Sequence, residues 1–523
     1  MTISERPQFN IKSVAIIGAG PSGIASLHEL SRVTRTGKSL FGLKDISEYE
    51  EKGDTAFPKL VAFERNASVG GVWSKSAFGY NNKDPDLPII EDDKIDLTKP
   101  EQIYKKYEID KELEEKLEFS TYEKPIQIPL NENLETITKH QWRSSAAYEG
   151  LFTNVTNRFM QFSFHEKTGD ELKKLDYRYK NLPGFQYARD VGAYLEEAVE
   201  TYNLEKYIRF NSNVERVQKT PTGKWEVIVS FMSEAEGKKY LNWYKEYFDA
   251  VIIGNGKTVP IVPSFKGLKQ FAETNKNKVT IKLAKSVQET TFIKNAKKLL
   301  FIGSSVSSID LIQYAFPRDL DNPSVYISRR SATAHLDWIN GCTYSKGIVN
   351  KPTIEEFLPE SNSIKFTDGT VESGFDVIVI CCGYHMYYPF LTNVSQDSLK
   401  WYQYTFWVDD PTLALVGNTY AGFFFNRVEA QGAALAGVWT NKHKLPDRES
   451  QLKIIANKPQ LSVGLINQEF INPLIDLSLE GRPHPFDVDQ SKSDHVAQIC
   501  HAQLTIPDLF YKIRDGLVDP MNL

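Results

Sequence analysis

The sequence predicts an α/β protein built of two Rossmann-like units, the second inserted into the first. Three observations carry that expectation. Val14-Ala15-Ile16-Ile17 runs into Gly18-Ala19-Gly20-Pro21-Ser22-Gly23: an apolar strand, a glycine turn and the opening of a helix. Far downstream, Leu299-Leu300-Phe301-Ile302-Gly303 repeats the strand-into-turn pattern. Apolar runs at Ala250–Ile253 and Val377–Ile380 read as further buried strands, each running into a turn, one on either side of the repeat.

Composition sets the outer limits. Of 523 residues, 41% are hydrophobic and 25% charged, which supports large cores and excludes wholesale disorder or collagen-like order. A net charge of −5 with no dense basic stripe argues against a nucleic-acid partner. Apolar stretches fall short of the 18 or so residues of a membrane span, and Met1–Lys12 lacks the features of a secretory signal. Four cysteines (Cys342, Cys381, Cys382, Cys500) form neither a disulfide scaffold nor a metal box, so a reducing, cytoplasmic location is expected.

The first turn has the chemistry of a phosphate cradle. Gly18 lets the chain turn, Gly20 leaves room for a pyrophosphate, and Gly23 lets helix and strand pack closely. Ala19, Pro21 and Ser22 bring the helix amino terminus, with its free N–H groups, to the same place. A second strand, Leu60-Val61-Ala62-Phe63, ends in Glu64, the acid expected on a ribose. It lies 64 − 18 = 46 residues after Gly18 rather than about 20, the excess falling in the polar stretch Arg32–Pro58. Gly70-Gly71-Val72-Trp73 follows.

With that composite signature the chain resembles the flavin-containing monooxygenases, including the N-hydroxylating and Baeyer–Villiger enzymes. The resemblance implies that Gly18–Gly23 and Glu64 bind FAD, with Gly71, Val72 and Trp73 beside the flavin. Tyr148–Asn154 resembles the family's Y-x-x-L-x-T-N segment, which places Thr153 and Asn154 at the reactive flavin edge. There Asn154 would serve catalysis, a neutral amide positioning its neighbours without adding charge. Gly383, within Cys381-Cys382-Gly383-Tyr384, resembles the segment returning to the FAD domain, and Glu429 and Gln431 open a helix facing the flavin.

The second turn matches the family pattern G-x-G-x-S-G-x-D at Gly303, Ser307 and Asp310, while Ser305 and Ser308 replace glycines; Ser304 completes the turn. Arg329 and Arg330 end the next strand, 26 and 27 residues after Gly303 (329 − 303 and 330 − 303), and suit the 2′-phosphate of NADPH. The family's histidine fingerprint has no histidine at the matching stretch, Ile281–Val287, which leaves the subclass open.

The expected organisation is an FAD domain in two parts, 1–256 and 375–523, around an NADPH domain at 257–374. Lys83–Gln141 and the tail beyond Leu445 have no family counterpart; surface elaboration, a homodimer contact and a lid stay open for both. The resemblance implies a monooxygenase using NADPH and O2, through a C4a-hydroperoxyflavin, on a small-molecule amine, thiol or thioether. A Baeyer–Villiger enzyme, an FAD oxidase without NADPH and a non-enzymatic protein of related architecture are the alternatives.

Overall fold

The computed structural model describes residues 8–77, 84–88, 95–148, 150–167, 185–331, 337–394, 396–417, 422–459, 465–486 and 507–522. A seven-stranded sheet organises the first unit. Within it Ser13–Ile17 is paired in parallel with Lys59–Phe63 on one side and Ala250–Ile253, the central strand, on the other. These strands read as continuous apolar runs because helices and a second sheet cover both faces. The helices Pro21–Ser31 and Phe424–Trp439 pack together on one face, buried along almost their whole length. An antiparallel sheet of four strands, from Ile126–Pro129 and three strands between Ser212 and Phe248, covers the other.

The second unit is a five-stranded parallel sheet in the order Ile348–Lys351, Val325–Ser328, Leu299–Ile302, Val377–Ile380, Thr280–Leu283. All five strands lie between Ala250–Ile253 and Leu413–Leu415 of the first sheet, so the second sheet is inserted in the first.

The return point differs from the expected boundary at 374/375. Val377–Ile380 is paired on both sides inside the second sheet, with Leu299–Ile302 and Thr280–Leu283. An all-apolar parallel strand carries no mark of which sheet it joins, which is why its motif misplaced the boundary. The chain leaves this sheet at Gly383–Tyr384, where it runs beside the outgoing linker. Ile261 N–H donates to the Gly383 carbonyl at 2.9 Å, and His385 N–H to that of Val259 at 2.9 Å.

Lys83–Gln141 and the tail beyond Leu445 acquire plain roles. Within Lys83–Gln141, the strand Ile126–Pro129 forms one edge of the four-stranded sheet and the helix Lys111–Leu117 covers it, with Leu113 and Leu117 packed on Ile228, Leu241 and Trp243. Asp110 caps that helix by accepting from Leu113 N–H at 2.8 Å. Of the tail, residues 465–486 join the first core through Phe470, Ile471 and Leu474, and Phe510 joins the second.

Candidate active site

The strand Ser13–Ile17 delivers the glycine turn to the edge where strand order reverses, the usual place for a ligand in such sheets. Gly18 sits at φ +97, and a Cβ there would lie 2.9 Å from the Gly254 carbonyl. A Cβ on Gly23 would lie 2.0 Å from the Gly18 carbonyl oxygen, so only glycine lets the helix come so close. No side chain caps the helix Pro21–Ser31. Its first N–H groups are left for a ligand.

A cavity of about 400 Å³ opens here. Its wall includes Gly18, Gly20, Pro21, Ser22, Glu64, Gly71, Val72 and Trp73. Glu64 is 3% exposed; one carboxylate oxygen accepts from Ala19 N–H at 2.8 Å and the other from Asn66 N–H at 2.9 Å. Burial pushes its carboxyl up, and those two N–H groups partly offset the shift. Each oxygen keeps a lone pair for a further donor. Ala19 and Gly23 thus support the cradle from behind, one through Glu64 and the other through packing.

A flavin dinucleotide suits this donor set. Two buried acceptors, Asn66 Oδ1 and Asn255 Oδ1, belong to residues of the cavity wall and have no hydrogen-bond partner among the described residues. Orphaned buried acceptors of that kind await donors such as ribose hydroxyls. Gly20 and Gly71 face each other so closely that a Cβ on Gly71 would lie 3.1 Å from Gly20 Cα. The motifs overlooked both asparagines and also Gly192, where a Cβ would meet the Trp73 carbonyl at 2.3 Å. Gly192 lies mid-helix in Ala188–Thr201, a glycine out of place there on propensity alone.

Other expected site residues lie elsewhere. Thr153 is a local staple, its hydroxyl donating to the Val155 carbonyl at 2.7 Å and accepting from Gln186 N–H at 3.1 Å. Asn154 is half-buried and outside this cavity's wall. Gly383 belongs to the paired linkers, while its neighbour Tyr384 reaches the cavity.

Gln431 is consumed within the protein. It accepts from Gly417 N–H at 2.9 Å and donates to Tyr404, Thr405 and Leu415. Glu429 is fully buried, accepting from Ser163 N–H at 2.8 Å, with Arg482 at 3.9 Å. Neither lines the cavity. Their spacing is that of a buried helix face, which sequence alone does not distinguish from a ligand face.

In the second turn Gly303 keeps φ +106, and a Cβ would lie 2.4 Å from the Cys381 carbonyl. Ser308 occupies the place of Gly23 and is accommodated through its hydroxyl, which donates to the Gly303 carbonyl at 2.7 Å. Ser305 is exposed at the amino end of Val306–Ile312, with Ser304 and Ser307 half-buried beside it. Desolvation pushes the Asp310 carboxyl up to about 7.

Arg329 is not free for a phosphate. It is 6% exposed and donates to Ser331, Thr343, Asn350 and Asn340, with Tyr344 stacked 4.4 Å from its guanidinium. Arg330 is exposed.

A model of the flavin-binding monooxygenase-like family matches residues 108–361 and 337–469, more than half of the sequence. The chain belongs to the flavin-binding monooxygenase-like family. Its members' reaction class and cofactor follow: an FAD-dependent monooxygenase.

Among similar family members, a trimethylamine monooxygenase of Methylocella silvestris is 24% identical, over 84% of this chain and 76% of its own. The flavin-containing monooxygenase iboF of Amanita muscaria is 23% identical, over 83% of this chain and 80% of its own. The fold is shared with S-allyl-L-cysteine S-oxygenase of Allium sativum. That structure has a TM-score of 0.58 at 19% identity, covering 97% of this chain and all of the other (100%). Among the described residues, no helix of this family member is long and apolar enough to cross a membrane.

Proposed function

We propose that this flavin monooxygenase takes reducing equivalents from NADPH and oxygenates a soft nucleophile, an amine nitrogen or a sulfur. The observation that carries the reading is the cavity wall, where the glycine turn, Glu64 and Gly71–Trp73 converge on orphaned acceptors. Relatives named for an amine and for a cysteine thioether support the substrate class. FAD, when bound, supplies the redox chemistry and the activation of oxygen.

The chain's own groups bind, orient and enclose. Backbone N–H groups at Gly20 and Ser22 hold the pyrophosphate, Glu64 accepts from a ribose, and Trp73 shields the flavin from water. Asn154 keeps its role at the reactive edge on the strength of the resemblance alone. Arg330 is the arginine left to recognise a 2′-phosphate.

The purified protein should be yellow, and anaerobic NADPH should bleach it. A second reading, an FAD oxidase, draws on Ser305, Ser308 and the engaged Arg329. Persistence of the oxidised flavin spectrum under NADPH would favour that reading over the first.

A further inference from the structure

Lys285 lies in the one-turn helix Ala284–Ser286, after the outer strand Thr280–Leu283 of the second sheet. Its side chain is only 2% exposed. Lysine is seldom buried so deeply unless it is paired. Its ammonium donates to the Ser144 carbonyl, and Asp84 Oδ2 stands 3.7 Å away, beyond hydrogen-bond reach. Asp84 Oδ2 is itself buried with no hydrogen-bond donor among the described residues. The pair therefore does not close on itself, and an ammonium has three protons to give.

The same lysine lines the cavity that holds Gly20 and Ser22. Arg65, Arg143 and Lys257 line it too, whereas Glu64 is the only carboxylate among the described lining residues. Four cations against one acid, in a chain of net charge −5, make a wall built for negative charge. Of the four, Lys285 and Arg143 are buried, and desolvating them without an anion is costly.

We propose that Lys285, oriented by Asp84 and the Ser144 carbonyl, is a phosphate-binding residue for a dinucleotide seated in this cavity. The inference rests on the reading of the cavity as a dinucleotide site. It adds a contact from the second unit that none of the glycine motifs contains. The phosphate belongs either to FAD or to the nicotinamide nucleotide, and two titrations separate these sources.

The groups around Lys285 set its pH dependence. Desolvation lowers it to about 8; Asp84 pulls it up and Arg65 pushes it down, with Tyr384 and Arg143 in the same wall. The charged form is complete below pH 7 and is lost as pH rises through about 8. A phosphate held by this lysine should thus bind less tightly above that pH.

The test uses the full chain. Flavin fluorescence follows FAD uptake by the apoprotein, and calorimetry follows NADP⁺ binding to the FAD-loaded protein. Lys285→Met should weaken one of the two by about tenfold, the scale of one charge-assisted contact. Lys285→Arg should restore that affinity and flatten its decline above pH 8. Asp84→Asn should move the decline to lower pH, a change that a merely structural pair would not produce. If Lys285→Met folds poorly, Lys285→Arg and Asp84→Asn carry the decision through their pH profiles. Wild-type binding that is tight, with all three variants unchanged in affinity and pH profile, overturns the inference and leaves the site reading intact. A wild-type protein that takes up neither dinucleotide sinks both.

Discussion

Arg329 and Arg330 are chain neighbours in opposite surroundings. Arg329 donates to four residues and is nearly covered, while Arg330 lies in solvent. Arg329→Ala should cost about 2–3 kcal/mol of stability, since Asn340, Thr343 and Asn350 lose a charged partner. Arg330→Ala should leave stability within about 0.5 kcal/mol and raise KM for NADPH more than for NADH. Equal effects on the two nucleotides would remove its role. Glu429 makes a separate residue-scale prediction. Burial pushes its carboxyl from 4.5 up to about 8 despite Arg482, so the folded state holds an extra proton between those values. Stability should therefore fall as pH rises through that window. Glu429→Gln keeps an acceptor for Ser163 and removes the titration. Its melting temperature between pH 5 and 9 should be flatter than that of the wild type; parallel curves would refute the assignment.

At the scale of elements, the two glycine turns solve one packing problem differently. In the first, helix and strand meet so closely that Gly23→Ala puts a methyl 2.0 Å from the Gly18 carbonyl. In the second, the Ser308 hydroxyl spans the equivalent gap. Gly23→Ala should abolish flavin retention and cost several kcal/mol, whereas Ser308→Ala should cost about 1 kcal/mol, one hydrogen bond. Comparable melting curves for the two would contradict this difference. These contrasts also mark what sequence reading reaches. Strand, turn and helix were legible at Val14–Gly23 because their geometry is local and only glycine satisfies it. The sheet joined by Val377–Ile380 was not, since pairing partners are chosen across the fold. Nor was the burial of Arg329, Glu429 and Gln431, whose partners come from distant segments. The place of Lys285 is equally illegible, because a cavity wall assembled from two units leaves no spacing to read.

Across the whole molecule, the tail ties the two units together. Arg482 meets Glu29 of the first glycine-turn helix at 2.7 Å, both buried. Further on, Leu509, Phe510 and Ile513 are buried; Phe510 packs with Phe316 in the second core, and Tyr511 donates to the Gly341 carbonyl at 3.0 Å. The chain then meets Gly150, where a Cβ would lie 2.5 Å from Met521 Sδ, beside Tyr148 and Leu151 on the second core. It thus reaches the segment that bears Thr153 and Asn154. Ending the chain after Ile506 removes three buried apolar side chains and bares the surface they cover, worth on the order of 5 kcal/mol together. The loss falls on the second unit, because the Phe510 side chain packs there and residues 465–486 still cover the first. Calorimetry of the truncated chain should show a melting step below any of the full chain, belonging to the second unit. Phe510→Ala should reproduce part of that shift, about 3–5 kcal/mol, without removing Met521 from Gly150. If both variants melt as the full chain does, the tail is a surface addition and the two units are held together by their paired linkers alone.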